Sequence, residues 1–310
     1  MPEVTVTNDV TAIQPTIWEP LVQVPLYKSL VALEVARVHD IPVGTTVHIR
    51  RFGDMTAATY TPGTSVTATA QDWAYDSIVV TTYKHSTFYV DDVQKQTIDI
   101  DQVRELATEC AYQLKNKIDT HVFANLTGSD GFTNYGADAA GLQGGTAHRP
   151  VSAGSANIIN IFANAKKVLL QKNVEQMGDW CSVITPMIGA AIDIKAASSG
   201  YNVADATLRN GYAGNFLGFE VYISNNLPSG KCSAIAATVS GGAVSATSCK
   251  SIFFGRKGMI DLYLQPPRMS VRPMSEKVGN NYITYTTYGS GVGTKNRSRG
   301  INVAVQSGYY

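Results

Sequence analysis

The hydrophobic pattern changes character along the chain. From Leu33 to Leu106 there is no leucine between them, and the apolar positions are Val, Ile, Tyr and Phe interleaved with Thr and Ser, residue types that suit a pleated surface. This stretch predicts a long β-hairpin over Val43 to Val90, with strands at Thr45–Phe52 and Ser77–Val90 and a tip at Gly53–Tyr75. Ile78, Val80, Thr82 and Lys84 would share one face of the return strand, and Val79, Thr81, Tyr83 and His85 the other. Both faces mix apolar and polar residues, so the hairpin should lack a core of its own and project. Next, Val103, Leu106, Cys110, Leu114, Ile118 and Val122 recur at intervals of three and four, the period of an amphipathic helix. The pattern predicts a helix over Asp99–Phe123, with Asp99 or Asp101 at its cap, about 37 Å long at 1.5 Å per residue.

The flanks read differently. Pro2, Pro15, Pro20 and Pro25 forbid a long helix at the start and favour an extended arm, with a short helix within Tyr27–Val38 ending before Pro42. After the long helix come a Gly-rich loop (Gly128–Gly154), a helix over Ser155–Gln176 stopped by Gly178, and a strand at Trp180–Ile184. A helix over Met187–Lys195 follows, opened by Thr185-Pro186. A strand at Phe219–Ser224 precedes two small-residue strands between Cys232 and Cys249, turning near Ser240-Gly241-Gly242. The strand–helix alternation in this middle region predicts an α/β unit around a central sheet. From Ser251 onward the segments SIFFG, MIDLYLQ, RMSVRP, NYITYTTYG and INVAVQ read as successive strands, expected to form a sheet packed on the long helix.

Composition narrows the chemistry. With 310 residues, 44 % apolar and 16 % charged, the chain has the make-up of a folded protein with one sizeable core or two modest ones. No apolar run reaches the roughly 20 residues of a membrane span. The start MPEVTVTNDV lacks the basic and apolar regions of a secretory signal, so the expected site of action is the cytoplasm in which the chain is made. Nine Lys and Arg face two acids from Lys250 onward, giving +7 for the last fifth and −6 for the remainder. That asymmetry suits contact with a polyanion or between copies of the chain.

Cys110, Cys181, Cys232 and Cys249 form no C-x-x-C pair, which argues against a zinc site. A turn centred between Ser240 and Gly241 would set Cys232 opposite Cys249, so a disulfide between them is expected to form late if at all. The five histidines show no metal-ligand spacing; His48 and His85 are expected as a cross-strand polar pair. In YGSGVGTKNRS, Thr294 separates Gly293 from Lys295, and the context reads strand to strand rather than strand to helix, so it is not a phosphate loop. Asp91 and Asp92, with Asp99 and Asp101, are read as carboxylates at a hairpin-to-helix junction. Lys295, Arg297 and Arg299 lack the interleaved aromatics of a base-reading surface. No catalytic constellation, metal site or cofactor is expected.

The order hairpin VGTTVHIRRFGDM…DSIVVTTYKHSTFYVDD, helix DIDQVRELATECAYQLKNKIDTHVF, strand GNFLGFEVYISNNLP and return IFFGRKGMIDLYLQPPR…YITYTTYG resembles the major capsid proteins of tailed bacteriophages, over about residues 20 to 305. That resemblance implies an α+β, Hong Kong 97-like capsid fold: an N-terminal arm (1–42), an extended-loop hairpin (43–90), a peripheral-domain spine helix (91–127), an axial domain (128–250) and a return to the peripheral sheet and C-terminus (251–310). It further implies a structural, non-enzymatic role in the virion capsid: hexamers and pentamers assembled in the host cytoplasm into an icosahedral shell around double-stranded DNA, with no membrane. A portal and a separate scaffolding protein are implied partners, and decoration proteins an optional one. The hairpin tip from Gly53 to Tyr75 contains no Lys, so the isopeptide crosslink of one branch of the family is not expected. Trp73, Tyr75, Asp91, Asp92, Arg297 and Arg299 are the expected assembly contacts. The alternatives are an encapsulin-type shell enclosing cargo proteins, a hydrolase or transferase built in the Gly-rich loops, and a tail or receptor-binding protein.

Overall fold

The computed structural model describes residues 30–41, 44–53, 55, 57–66, 73–93, 102–128, 130–138, 141–144, 151–152, 157–174, 179–198, 214–228, 249–274 and 277–306. The N-terminal arm before residue 30, Asp99 and Asp101, and the strands expected between Cys232 and Cys249 lie outside the described residues. The chain runs through α1 (Ala32–Val35), β1 (Arg37–Asp40), β2 (Thr46–Phe52), β3 (Trp73–Val79), β4 (Thr82–Asp91) and the long helix α2 (Gln102–Leu126). It continues through β5 (Thr133–Asp138), β6 (Gly141–Gly144), β7 (Val151–Ser152), α3 (Ile158–Gln171), β8 (Trp180–Ile184), α4 (Pro186–Ser198), β9 (Asn215–Phe216) and β10 (Phe219–Ile223). Then come β11 (Cys249–Arg256), β12 (Ile260–Leu264), β13 (Arg268–Pro273), β14 (Gly279–Val292), α5 (Thr294–Arg299) and β15 (Ile301–Gln306).

The expected return strand Ser77–Val90 is in fact two strands. β3 pairs antiparallel with β2, from Thr46↔Val79 to Phe52↔Trp73. At Val80-Thr81 the chain leaves the hairpin, and β4 pairs instead with β14, from Gly279↔Asp91 to Tyr288↔Thr82. His48 therefore faces Ser77, while His85 faces Tyr285, and the two histidines do not pair. The cause is an apolar anchor at the hairpin root: Ile78 and Val80 are buried with Tyr263, and Val47, Ile49 and Ile41 pack around them. The root thus owns an apolar face that the mixed pattern concealed. Its seat is a pair of glycines in β14. A Cβ on Gly289 would lie 2.4 Å from the Val79 carbonyl oxygen, and one on Gly291 2.9 Å from Ile78 Cγ1.

The first sheet has the order β1-β12-β14-β13, with β4 also paired to β14. β12 and β13 lie end to end along β14, from Ile260↔Val292 to Leu264↔Tyr288 and from Arg268↔Tyr285 to Pro273↔Asn280. Pro266 and Pro267 fall between them, where the missing N–H groups interrupt the ladder. Across β4 and β14 lies α2, burying Cys110, Leu114 and Ile118. Leu106, on the same stripe nearer the helix start, is 39 % exposed.

The second sheet has the order β6-β5-β15-β11-β8-β10-β9, with β7 beside β15. The terminal strands therefore do not form one sheet on the long helix: β11 and β15 enter this second sheet, and β12, β13 and β14 the first. Every residue of β8 is buried, as in a strand covered on both faces. Phe162 of α3 meets Phe216, Phe219 and Phe254 edge-on at 4.9, 5.9 and 5.1 Å, geometries that aromatic quadrupoles favour. α3 stops earlier than Gly178, at Asn173, whose φ of 55° is left-handed and after which the Val174 N–H returns to the Leu169 carbonyl at 3.0 Å. At the start of α4 the Thr185 carbonyl accepts from Ile188 and Gly189, whereas its hydroxyl makes no hydrogen bond.

The far half of α2 joins the two sheets. Val122, Phe123 and Leu126 are fully buried in the same cluster as Phe253, Phe254 and Ile301. Beside them Asp119, 1 % exposed, accepts from the Val31 and Ala32 N–H groups at 2.9 and 2.7 Å. Its other oxygen accepts from Asn226 Nδ2 at 2.6 Å. One carboxylate thus caps α1 and ties it to the chain following β10.

Candidate assembly surface

The β2–β3 hairpin has an inner face on the first sheet and an outer face that the subunit leaves uncovered. Trp73, Tyr75 and Val79 are 63, 65 and 54 % exposed on that outer face, opposite Phe52, Arg50 and Thr46. The Tyr75 ring stands edge-on to His48 at 4.8 Å, and His48 Nδ1 is 2.9 Å from Ser77 Oγ. Arg50, Trp73, Ala74 and Tyr75 line an open hollow there. Two large aromatics beside an arginine, exposed in one patch, are the composition of a protein contact.

The inner face carries Asp76. Its Oδ2 accepts from the Thr294 N–H at 3.0 Å and its Oδ1 from the Thr294 hydroxyl at 2.5 Å. Burial raises the Asp76 pKa, but the Thr294 hydrogen bonds and the Arg51 and Arg297 charges outweigh it and leave the carboxyl below its ordinary value. The segment after β14 is therefore a strand-to-helix junction, not strand to strand. The Thr294 N–H at the start of α5 is occupied by the chain's own carboxylate, which leaves the phosphate-loop reading without a donor there.

α5 touches several elements at once. Arg297 Nη1 donates to Asp130 at 2.6 Å and its Nε to the Val292 carbonyl at 2.9 Å. The Thr133 hydroxyl donates to the Arg297 carbonyl at 3.0 Å, Asn296 Nδ2 to the Met259 carbonyl at 3.2 Å, and Lys172 Nζ to the Ser298 carbonyl. Arg297, expected at an assembly contact, is thus engaged within its own chain, whereas Arg299 is exposed. Asp91 accepts from the Val93 N–H at 2.8 Å and from the Tyr89 hydroxyl at 3.3 Å. The Asp92 N–H donates to the Val278 carbonyl at 3.4 Å. These two acids lie at the end of β4, away from Trp73 and Tyr75.

Cys249 is disulfide-bonded, while Cys110 and Cys181 are free and buried; Cys232 lies outside the described residues. Burial pushes the Cys181 thiol up to about 12, which keeps it protonated and unreactive. Among the described residues, no group of three or more His, Cys, Asp or Glu is placed to hold a metal ion, and no helix is long and apolar enough to cross a membrane.

A family model of phage capsid proteins matches residues 73–303. The chain belongs to the phage capsid protein family. The match begins at Trp73, on the outward face of the hairpin, and runs through α2, both sheets and α5. No curated protein sequence matches this capsid protein. Its fold is similar to the solved capsid of cyanophage P-SCSP1u, with a TM-score of 0.70 at 15 % identity over 96 % of this chain and 95 % of that one. It is also similar to a structure from Mycobacterium phage Che8, with a TM-score of 0.68 at 18 % identity over 94 % of this chain and 96 % of the other. The capsid of Ralstonia phage GP4 gives 0.65 at 10 % identity over 100 % and 99 %. This capsid protein is a structural component of a virion shell with a mixed α+β fold.

Sequence reasoning singles out Trp73 and Tyr75, which the structure leaves exposed, but not Asp76, Gly289, Gly291 and Thr294. The glycines stand in YGSGVGT, where their density reads as a phosphate-type turn and hides their packing role. Nothing in one sequence pairs Asp76 with a threonine more than two hundred positions away.

Proposed function

We propose that this capsid protein is the major capsid protein of a tailed phage, with the Hong Kong 97-like arrangement of arm, extended-loop hairpin, peripheral domain and axial domain. On this reading the first sheet with the near half of α2 is the peripheral domain, and the second sheet with α3 and α4 is the axial domain. Hexamers and pentamers of the chain close an icosahedral shell around double-stranded DNA, assembled in the host cytoplasm. A portal, a separate scaffolding protein and optional decoration proteins complete the particle. The role is structural, without catalysis.

The observation that carries this reading is the outer face of the hairpin: Trp73 and Tyr75, 63 and 65 % exposed, on a chain of the capsid family. Large aromatics left in water by the subunit become stabilising when a neighbouring copy covers them. Asp91, Asp92 and Arg299 are proposed as polar contacts between copies, separate from the hairpin patch. The test is electron microscopy of the purified protein, native and with Trp73→Ser and Tyr75→Ser together. The native chain should form shells of several hundred ångströms, and the double variant should give a subunit of unchanged thermal midpoint that forms none. Intact shells from the double variant would remove the hairpin from assembly. Native particles that contain packaged protein and no DNA would favour the encapsulin reading instead.

A further inference from the structure

The hairpin is fastened to the subunit described above at two places, the glycine seat on β14 and the Asp76 carboxylate on α5. The seat is apolar contact with backbone and cannot change partners, whereas the carboxylate has two claimants. Thr294 holds it with its N–H at 3.0 Å and its hydroxyl at 2.5 Å. Arg51, on β2, has its Nε 3.9 Å from Asp76 Oδ1. That Nε is buried and has no hydrogen-bond partner, which is an unfavourable state for a donor and one that native proteins seldom keep without a use. Asp76 lies opposite Ile49 and Arg51 opposite Ala74, so the two are diagonal neighbours on one face of the same two-stranded sheet.

We propose that Asp76 is a two-position latch: bonded to Thr294 it holds the hairpin down on α5, and handed to Arg51 it frees the hairpin to change its angle when a neighbouring copy takes up the outer face. Both partners in the released position belong to the hairpin, so the carboxylate stays paired and the Arg51 donor becomes satisfied. The cost of opening is the loss of the two Thr294 bonds and of the Arg297 attraction. Arg297, the other charge facing Asp76, stays with Asp130 at 2.6 Å and does not follow the hairpin. Because α5 is bonded to β5 through Thr133 and to the turn before β12 through Met259, the handover releases the hairpin from α5 and leaves the glycine seat on β14 as its pivot. The change of angle on docking rests on the shell reading; the latch belongs to the single subunit and is tested there.

The experiment is hydrogen–deuterium exchange of the unassembled subunit, comparing peptides over 46–52 and 73–79 with peptides over 279–292. Thr294→Pro removes both donors at the first position of a helix, where proline is tolerated, and the Gly293 ψ of 145° already suits a residue before proline. Hairpin amides in this variant should exchange about tenfold faster, the scale of one to two net hydrogen bonds, with β14 amides unchanged. Arg51→Met keeps the apolar stem and removes the second claimant, so hairpin amides should exchange at least twofold more slowly than in the native chain. Unchanged hairpin exchange in Thr294→Pro, or equal acceleration throughout the chain, overturns the latch. Unchanged or faster hairpin exchange in Arg51→Met overturns the handover. A native chain that never forms particles would defeat the shell reading and leave both exchange results standing.

Discussion

Gly289 and Gly291 show how a residue choice that looks like a ligand loop is set by packing. The segment YGSGVGT has the glycine density of a phosphate-binding turn, yet two of its glycines exist because the hairpin root lies on them. A methyl group on Gly289 would meet the Val79 carbonyl oxygen at 2.4 Å and Val80 Cα at 2.8 Å, both backbone, so the hairpin itself must move. Gly289→Ala should therefore cost about 1–3 kcal/mol by overpacking, read as a lower urea midpoint at unchanged m-value. Gly214→Ala is the control: nothing lies within 4 Å of its added Cβ, and its midpoint should stay within about 0.5 kcal/mol of native. Equal effects at the two sites would refute the seat. Asp119 makes a related point, since no local pattern marks an aspartate on an amphipathic helix as the cap of a helix 87 residues away.

At the scale of elements, legibility followed the source of each element's stability. α2 was readable because its stripe repeats every three to four residues; the apolar positions at Cys110, Leu114, Ile118 and Val122 are all buried. The hairpin was half readable. Alternation gives strands but not their partners, so the switch of β4 from β2 to β14 at Val80-Thr81 left no trace beyond two buried apolar residues. α5 was unreadable, because TKNRSR carries no apolar stripe and its four-residue spacing holds nothing but polar groups. It exists through Asp76, Asp130 and Thr133, and the Asp76 contact makes it sensitive to acid. Thr294, Arg51 and Arg297 face that carboxylate and hold its folded pKa below the ordinary 3.8. A depressed acid stabilises fully above its unfolded pKa and loses that contribution as pH falls through its folded value. The stability difference between the native chain and Asp76→Ala should thus be constant above pH 5, narrow below pH 3.8 and vanish at lower pH, measured by urea unfolding at each pH. A difference that grows on acidification would exclude the ionised carboxylate as the partner of α5.

Over the whole molecule, the order of segments carried more information than any motif, and it was the order that pointed to a capsid protein. What it does not divide is the run of terminal strands: alternation says which face of a strand is buried, not which sheet receives it, so the pattern groups β11 and β15 with β12, β13 and β14, whereas the structure places them in the second sheet. The charge asymmetry was legible as a sum but not as contacts, since Arg297 is spent on Asp130 within the chain. The cysteines allow a last prediction at this scale. The chain has four; Cys110 and Cys181 are free and buried, and Cys249 is disulfide-bonded. The partner predicted for Cys249 is Cys232, which a turn near Ser240 would set opposite it. Closing a loop of this length removes roughly 3 kcal/mol of chain entropy from the unfolded state. On the proposed assembly in the host cytoplasm, a reducing compartment, the bond is expected in mature particles and absent from freshly made subunits kept in reductant. Mass spectrometry of non-reduced digests should find a Cys232–Cys249 peptide pair in particles, and reduction should lower the subunit's unfolding free energy by about 2–3 kcal/mol. Free thiols at both positions in mature particles, or a bond from Cys249 to a second copy of the chain, would overturn the assignment.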